Sequence, residues 1–211
     1  MKIVFFGDSI TDMERKREED LTVFSYGDGY PFFIEGELST KFPKKFDIYN
    51  RGIGGDKITA LFARERELWN LQPNILSILV GVNDVFHGLW NGDTCTEIFE
   101  RTYRLMIQDV KKRCDGIHIV LLEPFLLRGS LIGDFYEECF PKVRELAKIV
   151  EKVAKDEECG FIPLQNAFEE VSQKTGESHW LYDGIHPSVA GARLIADRWL
   201  NYFYKNNLDN L

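Results

Sequence analysis

With 211 residues, 44% of them hydrophobic, the chain can bury one substantial core, and it is read as a single domain over 1–211. Its 34 acidic residues outnumber 26 basic ones for a net charge of −8, which argues against a nucleic-acid partner and favours neutral or cationic small molecules. With neither a signal-like start nor a membrane-length apolar run, cytoplasmic residence without membrane insertion is expected, and the scattered Cys95, Cys114, Cys139 and Cys159 read as reduced thiols that bind no metal.

An apolar run from Ile3 to Phe6 stops at Gly7, as a buried parallel strand stops where its loop begins. Ser9 then falls at the carboxyl end of the first strand, where open α/β sheets place their ligands. Asp8 reads as a structural turn residue, and Asp8, Ser9 and Thr11 together also suit an ordinary turn or helix cap. The run Met13-Glu14-Arg15-Lys16-Arg17-Glu18-Glu19-Asp20 has mixed charge and no apolar periodicity. It is either a solvated loop or short helix, or a lid beside Ser9. Phe32, Phe33, Leu38 and Phe42 then predict a helix packed on the sheet, closed by Pro43.

A short second strand, Phe46-Asp47-Ile48-Tyr49-Asn50, leads into the glycine-rich turn Arg51-Gly52-Ile53-Gly54-Gly55-Asp56 and a helix carrying Ile58, Leu61, Phe62 and Leu68. Glycines at such a junction let backbone N–H groups approach a ligand. Their spacing matches neither a Walker loop nor a full dinucleotide fingerprint, so no nucleotide cofactor is expected. Ile75-Leu76-Ser77-Ile78-Leu79-Val80 is apolar on both faces, as a central parallel strand is, and ends in Gly81-Val82-Asn83-Asp84. Asn83 either caps the turn or points its side-chain amide at a developing negative charge.

Residues 93–113 predict a helix with Ile98, Tyr103, Met106, Ile107 and Val110 on its core stripe. Ile117-His118-Ile119-Val120-Leu121-Leu122 is a fourth strand with His118 at its edge. The apolar segment from Glu123 to Gly129 is a pocket wall or a packed connection. Residues 137–156 form a helix through Val143, Leu146, Ile149, Val150 and Val153, Gly160-Phe161-Ile162-Pro163-Leu164 a fifth strand, and 167–171 a helical turn with Glu169 and Glu170 in solvent.

Pro187 holds His186 extended and suits the first turn of a last helix through Val189, Ala192, Ile195, Ala196, Trp199 and Phe203. Asp183, separated from His186 by the flexible Gly184, can fold back to accept from one imidazole nitrogen and leave the other as a base. An Asp-Gly turn followed by a helix cap is the plainer alternative. In βαβαβ order Ser9, Gly55 and Asn83 fall at the ends of strands one to three, on one edge of one sheet, within reach of the Asp183 and His186 loop. They offer a nucleophile, a base, an orienting acid and three oxyanion donors: the backbone N–H groups of Ser9 and Gly55 and the side chain of Asn83. Acyl transfer from an ester is the chemistry those parts serve.

Gly7-Asp8-Ser9-Ile10, Asn50-Arg51-Gly52-Ile53-Gly54-Gly55-Asp56, Gly81-Val82-Asn83-Asp84 and Asp183-Gly184-Ile185-His186-Pro187 resemble, in order, the nucleophile, glycine, asparagine and acid–base blocks of the GDSL or SGNH hydrolases. The resemblance implies a three-layer, flavodoxin-like α/β sandwich of about five parallel strands with helices on both faces. It implies catalytic Ser9, Asp183 and His186, an oxyanion hole of Ser9, Gly55 and Asn83, and neither metal nor organic cofactor. Tyr26-Gly27-Asp28-Gly29-Tyr30, Glu123-Pro124-Phe125 and His186-Pro187-Ser188-Val189-Ala190-Gly191 are similar to intracellular acetylesterases of xylo-oligosaccharides. That narrower likeness implies an acetylated carbohydrate as the small-molecule ester substrate and, with the abundant aromatics, a homo-oligomer. Two other readings stand beside it. A lysophospholipase or acyl-thioesterase would use 125–132 to hold a long acyl chain; a non-enzymatic carbohydrate-binding protein would use Trp90, Trp180 and Tyr182 as stacking surfaces.

Overall fold

The computed structural model describes residues 1–88 and 95–211; Trp90 and the first residues of the 93–113 segment lie outside them. Strand β1 (Lys2–Gly7) pairs in parallel with β2 (Asp47–Gly52) on one side and β3 (Ile75–Leu79) on the other, and β4 (His118–Leu122) and β5 (Gly160–Ile162) extend the sheet beyond β3. The order β2-β1-β3-β4-β5 is the flavodoxin-like one, in which the winding direction reverses between β1 and β3. That reversal opens a crevice at the carboxyl ends of the two strands, and Gly7 ends the first of them.

Side chains alternate between the sheet faces, so Phe5 and Phe6 of β1 point to opposite layers. Phe5 packs edge-on against Tyr30 and Trp199 at ring centroid distances of 5.4 and 5.3 Å. Those two residues belong to α2 (Tyr30–Lys41) and α9 (Val189–Lys205), which pack together on that face. Trp199 also donates its indole N–H to Ser77 Oγ at 3.2 Å, giving β3's one buried hydroxyl a partner. On the other face α6 (Thr96–Arg113) packs against both α3 (Ile58–Ala63) and α7 (Tyr136–Asp156). Full burial of side chains such as Phe5 and Phe6 stabilises the fold by about 1.5–3 kcal/mol each.

Several local expectations need correction. Phe32 and Ile98 are exposed, at 42% and 55%, and lie off the faces that bury Ile34 and Leu38 in the one helix and Phe99, Tyr103, Met106 and Val110 in the other. The helix after the glycine turn is two helices, α3 and α4 (Arg66–Leu71), interrupted where Arg64 turns its guanidinium to the carbonyls of Gly7 and Arg51 at 3.1 and 2.8 Å. The turn at 167–171 is the middle of α8 (Gln165–Thr175). Pro187 precedes the cap of α9, where Ser188 Oγ accepts from Gly191 N, and so lies outside the helix. Among the described residues no helix is long and apolar enough to cross a membrane.

The segment 125–132 is a packed connection. Phe125, Leu126, Leu127 and Ile132 are at most 2% exposed. Buried Gln165 replaces a strand partner for Leu126, accepting from its N–H and donating to its carbonyl at 2.9 Å each. Glu123, at the end of β4, accepts from the N–H groups of Leu164 and Gln165 at 2.7 and 2.9 Å and so ties β4 to the start of α8. Leu127 and Leu131 donate in turn to the carbonyls of Gly184 and Asp183 at 3.0 and 3.1 Å, and the segment thereby holds the loop that carries Asp183 and His186.

Candidate active site

The chain turns sharply after β1. Asp8 is the N-cap of α1 (Ser9–Asp12), its Oδ1 accepting from Ile10 N at 3.0 Å, and Ser9 occupies the first helical position at the sheet's carboxyl edge. The Asp8 carboxyl is fully buried, and burial pushes it up to about 7 against the pull of the Ile10 amide and of His186.

From the far end of the sequence, the loop before α9 folds onto this edge. Leu181 and Pro187 bridge antiparallel, Tyr182 N donates to His186 O at 3.1 Å, and Gly184 at φ +98° allows the tight return. Asp183 Oδ1 accepts from the amides of Ile185 and His186 at 2.9 and 2.8 Å, while Oδ2 lies 2.7 Å from His186 Nδ1. The other ring nitrogen, Nε2, lies 2.9 Å from Ser9 Oγ. In the neutral ring with its proton on Nδ1, Asp183 accepts that proton's hydrogen bond and Nε2 accepts from the serine hydroxyl. Burial alone would raise the Asp183 carboxyl, but the hydrogen bonds from the His186 ring and from the two amides hold it below its usual value. The Asp183 hydrogen bond outweighs burial at His186 and raises the imidazole above 6.5.

The glycine turn closes the opposite side. Gly54 and Gly55 are exposed, and Gly55 sits at φ +84°, the left-handed region where a side chain is strained. Asn83, buried in α5 (Val82–Phe86), donates through Nδ2 to the carbonyl of Asp56 at 3.1 Å. An amide nitrogen carries two hydrogens, so this anchor leaves a second donor on Asn83. Its neighbour Asp84 accepts from Ile58 N, and burial pushes that carboxyl up to about 7.

A cavity of about 340 Å³ is bounded by Ser9, Asp12, Glu14, Arg17, Tyr182 and His186, with Met13 and Gly54 completing it. The exposed Tyr182 ring stacks on His186 with centroids 5.9 Å apart. Trp180 is half-buried against the core and donates to Thr175 Oγ1 at 2.7 Å. Among the described residues no group of three His, Cys, Asp or Glu side chains is placed to hold a metal ion.

A family model described as GDSL-like lipase/acylhydrolase matches residues 5–194. The chain belongs to that family. As a GDSL-like acylhydrolase it is a carboxylic ester hydrolase, 30% identical to an acetylxylan esterase from Geobacillus stearothermophilus over 94% of this chain and 92% of the relative. Two solved structures share the fold. A GDSL-like lipase from Parabacteroides merdae superposes with a TM-score of 0.86 at 35% identity, covering 95% of this chain and 94% of its own. Axe2, an acetylxylan esterase from Geobacillus stearothermophilus, does so at 0.84 and 29% identity, covering 95% and 92%. Further structures of Axe2 are of catalytic mutants in which a serine, an aspartate or a histidine is replaced by alanine, the aspartate and histidine lying three positions apart.

Within this GDSL fold, Ser9, His186 and Asp183 lie in one hydrogen-bonded line, and Gly55 and Asn83 flank a single turn at the same edge. Asp12, Glu14 and Arg17 are cavity residues that no sequence block marked. Asp12 carried a signal through its position three after Ser9, on the same side of a helical turn, and Glu14 and Arg17 through the reading of 13–20 as a lid beside Ser9. The charged run 13–20 forms the polar wall of the cavity with Glu14 and Arg17, and it is not wholly solvated. Arg15 is buried and donates from Nε to the carbonyl of Gly52 at 2.9 Å.

Proposed function

We propose that this chain is a serine esterase that removes short acyl groups, chiefly acetyl, from hydroxyl-rich alcohols such as acetylated sugars or oligosaccharides. The observation that carries this reading is the continuous line Asp183 Oδ2, His186 Nδ1, His186 Nε2, Ser9 Oγ, with contacts of 2.7 and 2.9 Å at its two ends. As Ser9 Oγ bonds to the acyl carbon, its proton passes to His186 Nε2 and the carbonyl electron pair moves onto oxygen. The N–H groups of Ser9 and Gly55 and the free Nδ2 hydrogen of Asn83 receive that oxyanion. Collapse expels the alcohol, which takes the proton from His186. Water, deprotonated by the same nitrogen, then releases acetate and regenerates Ser9.

The walls favour a small acyl group and a polar leaving group. Within 125–132 the side chains of Phe125, Leu126, Leu127 and Ile132 are committed to the core and Leu131 alone of the apolar ones is exposed, too little to line a trough for a long chain, which counts against a lysophospholipase or acyl-thioesterase. Asp12, Glu14 and Arg17 offer hydrogen-bond partners to sugar hydroxyls, and the exposed Tyr182 ring offers an apolar face to a pyranose. The acetylxylan esterase relative supports the same substrate class. Four cysteines without a disulfide suit a reducing compartment such as the cytoplasm. Acetate release from a panel of acetylated xylo-oligosaccharides, set beside acetyl and octanoyl aryl esters, tests the proposal. Acetate release from the oligosaccharides and a preference for acetyl over octanoyl among the aryl esters are expected, and an octanoyl optimum would overturn the proposal.

A further inference from the structure

Asp12 takes part in no step above, yet it is buried beside the nucleophile. It ends the single turn of α1 that Ser9 begins, so the two residues share one side of that turn. Its Oδ2 accepts from the backbone N–H of Gly54 at 3.0 Å and from Arg17 Nη2 at 2.5 Å. Asn50 ties the end of α1 to β2: its Nδ2 donates to the Thr11 carbonyl at 2.6 Å and to the Tyr26 carbonyl at 2.8 Å, while its Oδ1 accepts from Gly52 N at 2.8 Å.

The glycine turn is thus tethered on both sides of Gly55. Before it, Gly54 is held by Asp12; after it, the carbonyl of Asp56 accepts from Asn83, and the Asp56 carboxylate accepts from Arg64 Nε at 2.7 Å. Between the two tethers stand two glycines with no side chain to restrict them. Rotation about Gly54 would swing the Gly55 N–H away from the reacting oxygen, and the hydrogen bond to Asp12 opposes that rotation.

We infer that Asp12 is a positioning residue, whose carboxylate joins the glycine turn to the helix carrying Ser9 so that the nucleophile and the Gly55 amide keep a fixed relation. The inference rests on Gly55 N–H being an oxyanion donor, as proposed above. The cost of misplacing such a donor falls on the transition state and hence on kcat, with substrate binding left nearly intact.

The test compares Asp12→Ala, Asp12→Asn and Asn83→Ala on 4-nitrophenyl acetate, with circular dichroism as the check on folding. Asp12→Ala is expected to lose roughly 10- to 100-fold in kcat with KM within about twofold and the acid limb of the pH profile unmoved. Asp12→Asn, which keeps an acceptor at the same place, is expected to recover most of that loss. If Asp12→Ala does not fold, Asp12→Glu, which displaces the acceptor by one methylene, takes its place with the same expectation. A folded Ala or Glu variant with wild-type kcat overturns the inference while a slow Asn83→Ala leaves the oxyanion hole standing. Wild-type kcat in Asn83→Ala as well overturns the oxyanion reading itself. A loss that appears as a shifted acid limb assigns Asp12 an electrostatic effect on His186 and also overturns the positioning role.

Discussion

Nε2 of His186 lies 2.9 Å from Oγ of Ser9 although 177 positions separate them in the chain. The contact joins the first strand's end to the loop before the last helix, and it depends on two supports. The cap at Asp8 presents the serine; the hydrogen bonds from Leu127 and Leu131 hold the loop that presents the histidine.

The first prediction concerns acid. His186 must be neutral to take the serine proton, and the Asp183 hydrogen bond raises its pKa above 6.5. Activity should therefore fall on acidification through an apparent pKa above that value. Asp183→Asn removes the raising interaction and the tautomer control, so the acid limb should move to lower pH while kcat drops by about 10⁴. Profiles of kcat/KM against pH for the two proteins check both parts.

Replacing the side-chain donor of the oxyanion hole should separate catalysis from folding. Asn83→Ala is expected to lower kcat by roughly 100- to 1,000-fold. It also strips the Asp56 carbonyl of its 3.1 Å partner, a loss of about 1 kcal/mol that should lower the melting temperature by only about 2–4 °C. Steady-state kinetics beside thermal unfolding measures the two effects together.

A buried acid next to the nucleophile makes stability depend on pH. The Asp8 carboxyl stands at about 7 in the folded chain against 3.8 for the ordinary group. Between those values the folded state keeps a proton that the unfolded state has released, so stability declines as pH rises through that window and stays lower above it. Asp8→Asn keeps an acceptor for Ile10 N without the charge. It should melt higher than wild type near pH 8 and show no such advantage near pH 4, as scanning calorimetry at both would reveal.

The connection 125–132 invites a fourth test. A Cβ at Gly129 would stand 2.1 Å from the carbonyl carbon of Asp183 and from the Gly184 nitrogen. Gly129→Ala should therefore displace the acid–base loop, costing about 1–3 kcal/mol of stability and lowering kcat together with the melting temperature. Wild-type values of both would contradict the bracing role of the segment.

Much of this arrangement was legible in the sequence because the informative residues sit where an apolar run ends. Ser9 follows β1, Gly55 follows β2 and Asn83 follows β3, and a parallel sheet puts all such ends on one edge. His186 was legible through its proline neighbour and through Asp183 three residues before. Asp12 and Arg15 were hidden because their burial depends on partners distant in sequence, the Gly54 amide and the Gly52 carbonyl, while a mixed charge run reads as solvated. Phe32 and Ile98 read as packed because apolar character at roughly helical spacing does not by itself say which face of the helix is covered. The role of 125–132 was undecided in sequence, since apolar residues line a pocket or a core equally well; only their packing against α8 and the loop of Asp183 separates the two.

The most direct measurement is hydrolysis of 4-nitrophenyl acetate by wild type and by Ser9→Ala, each confirmed folded, with intact mass after treatment with an organophosphonate. Wild type is expected to turn over the ester and to gain one phosphonyl group on Ser9, and Ser9→Ala to lose more than about 10³-fold in kcat and to remain unlabelled. A folded Ser9→Ala that hydrolyses the ester at the wild-type rate would contradict the role of Ser9 as nucleophile.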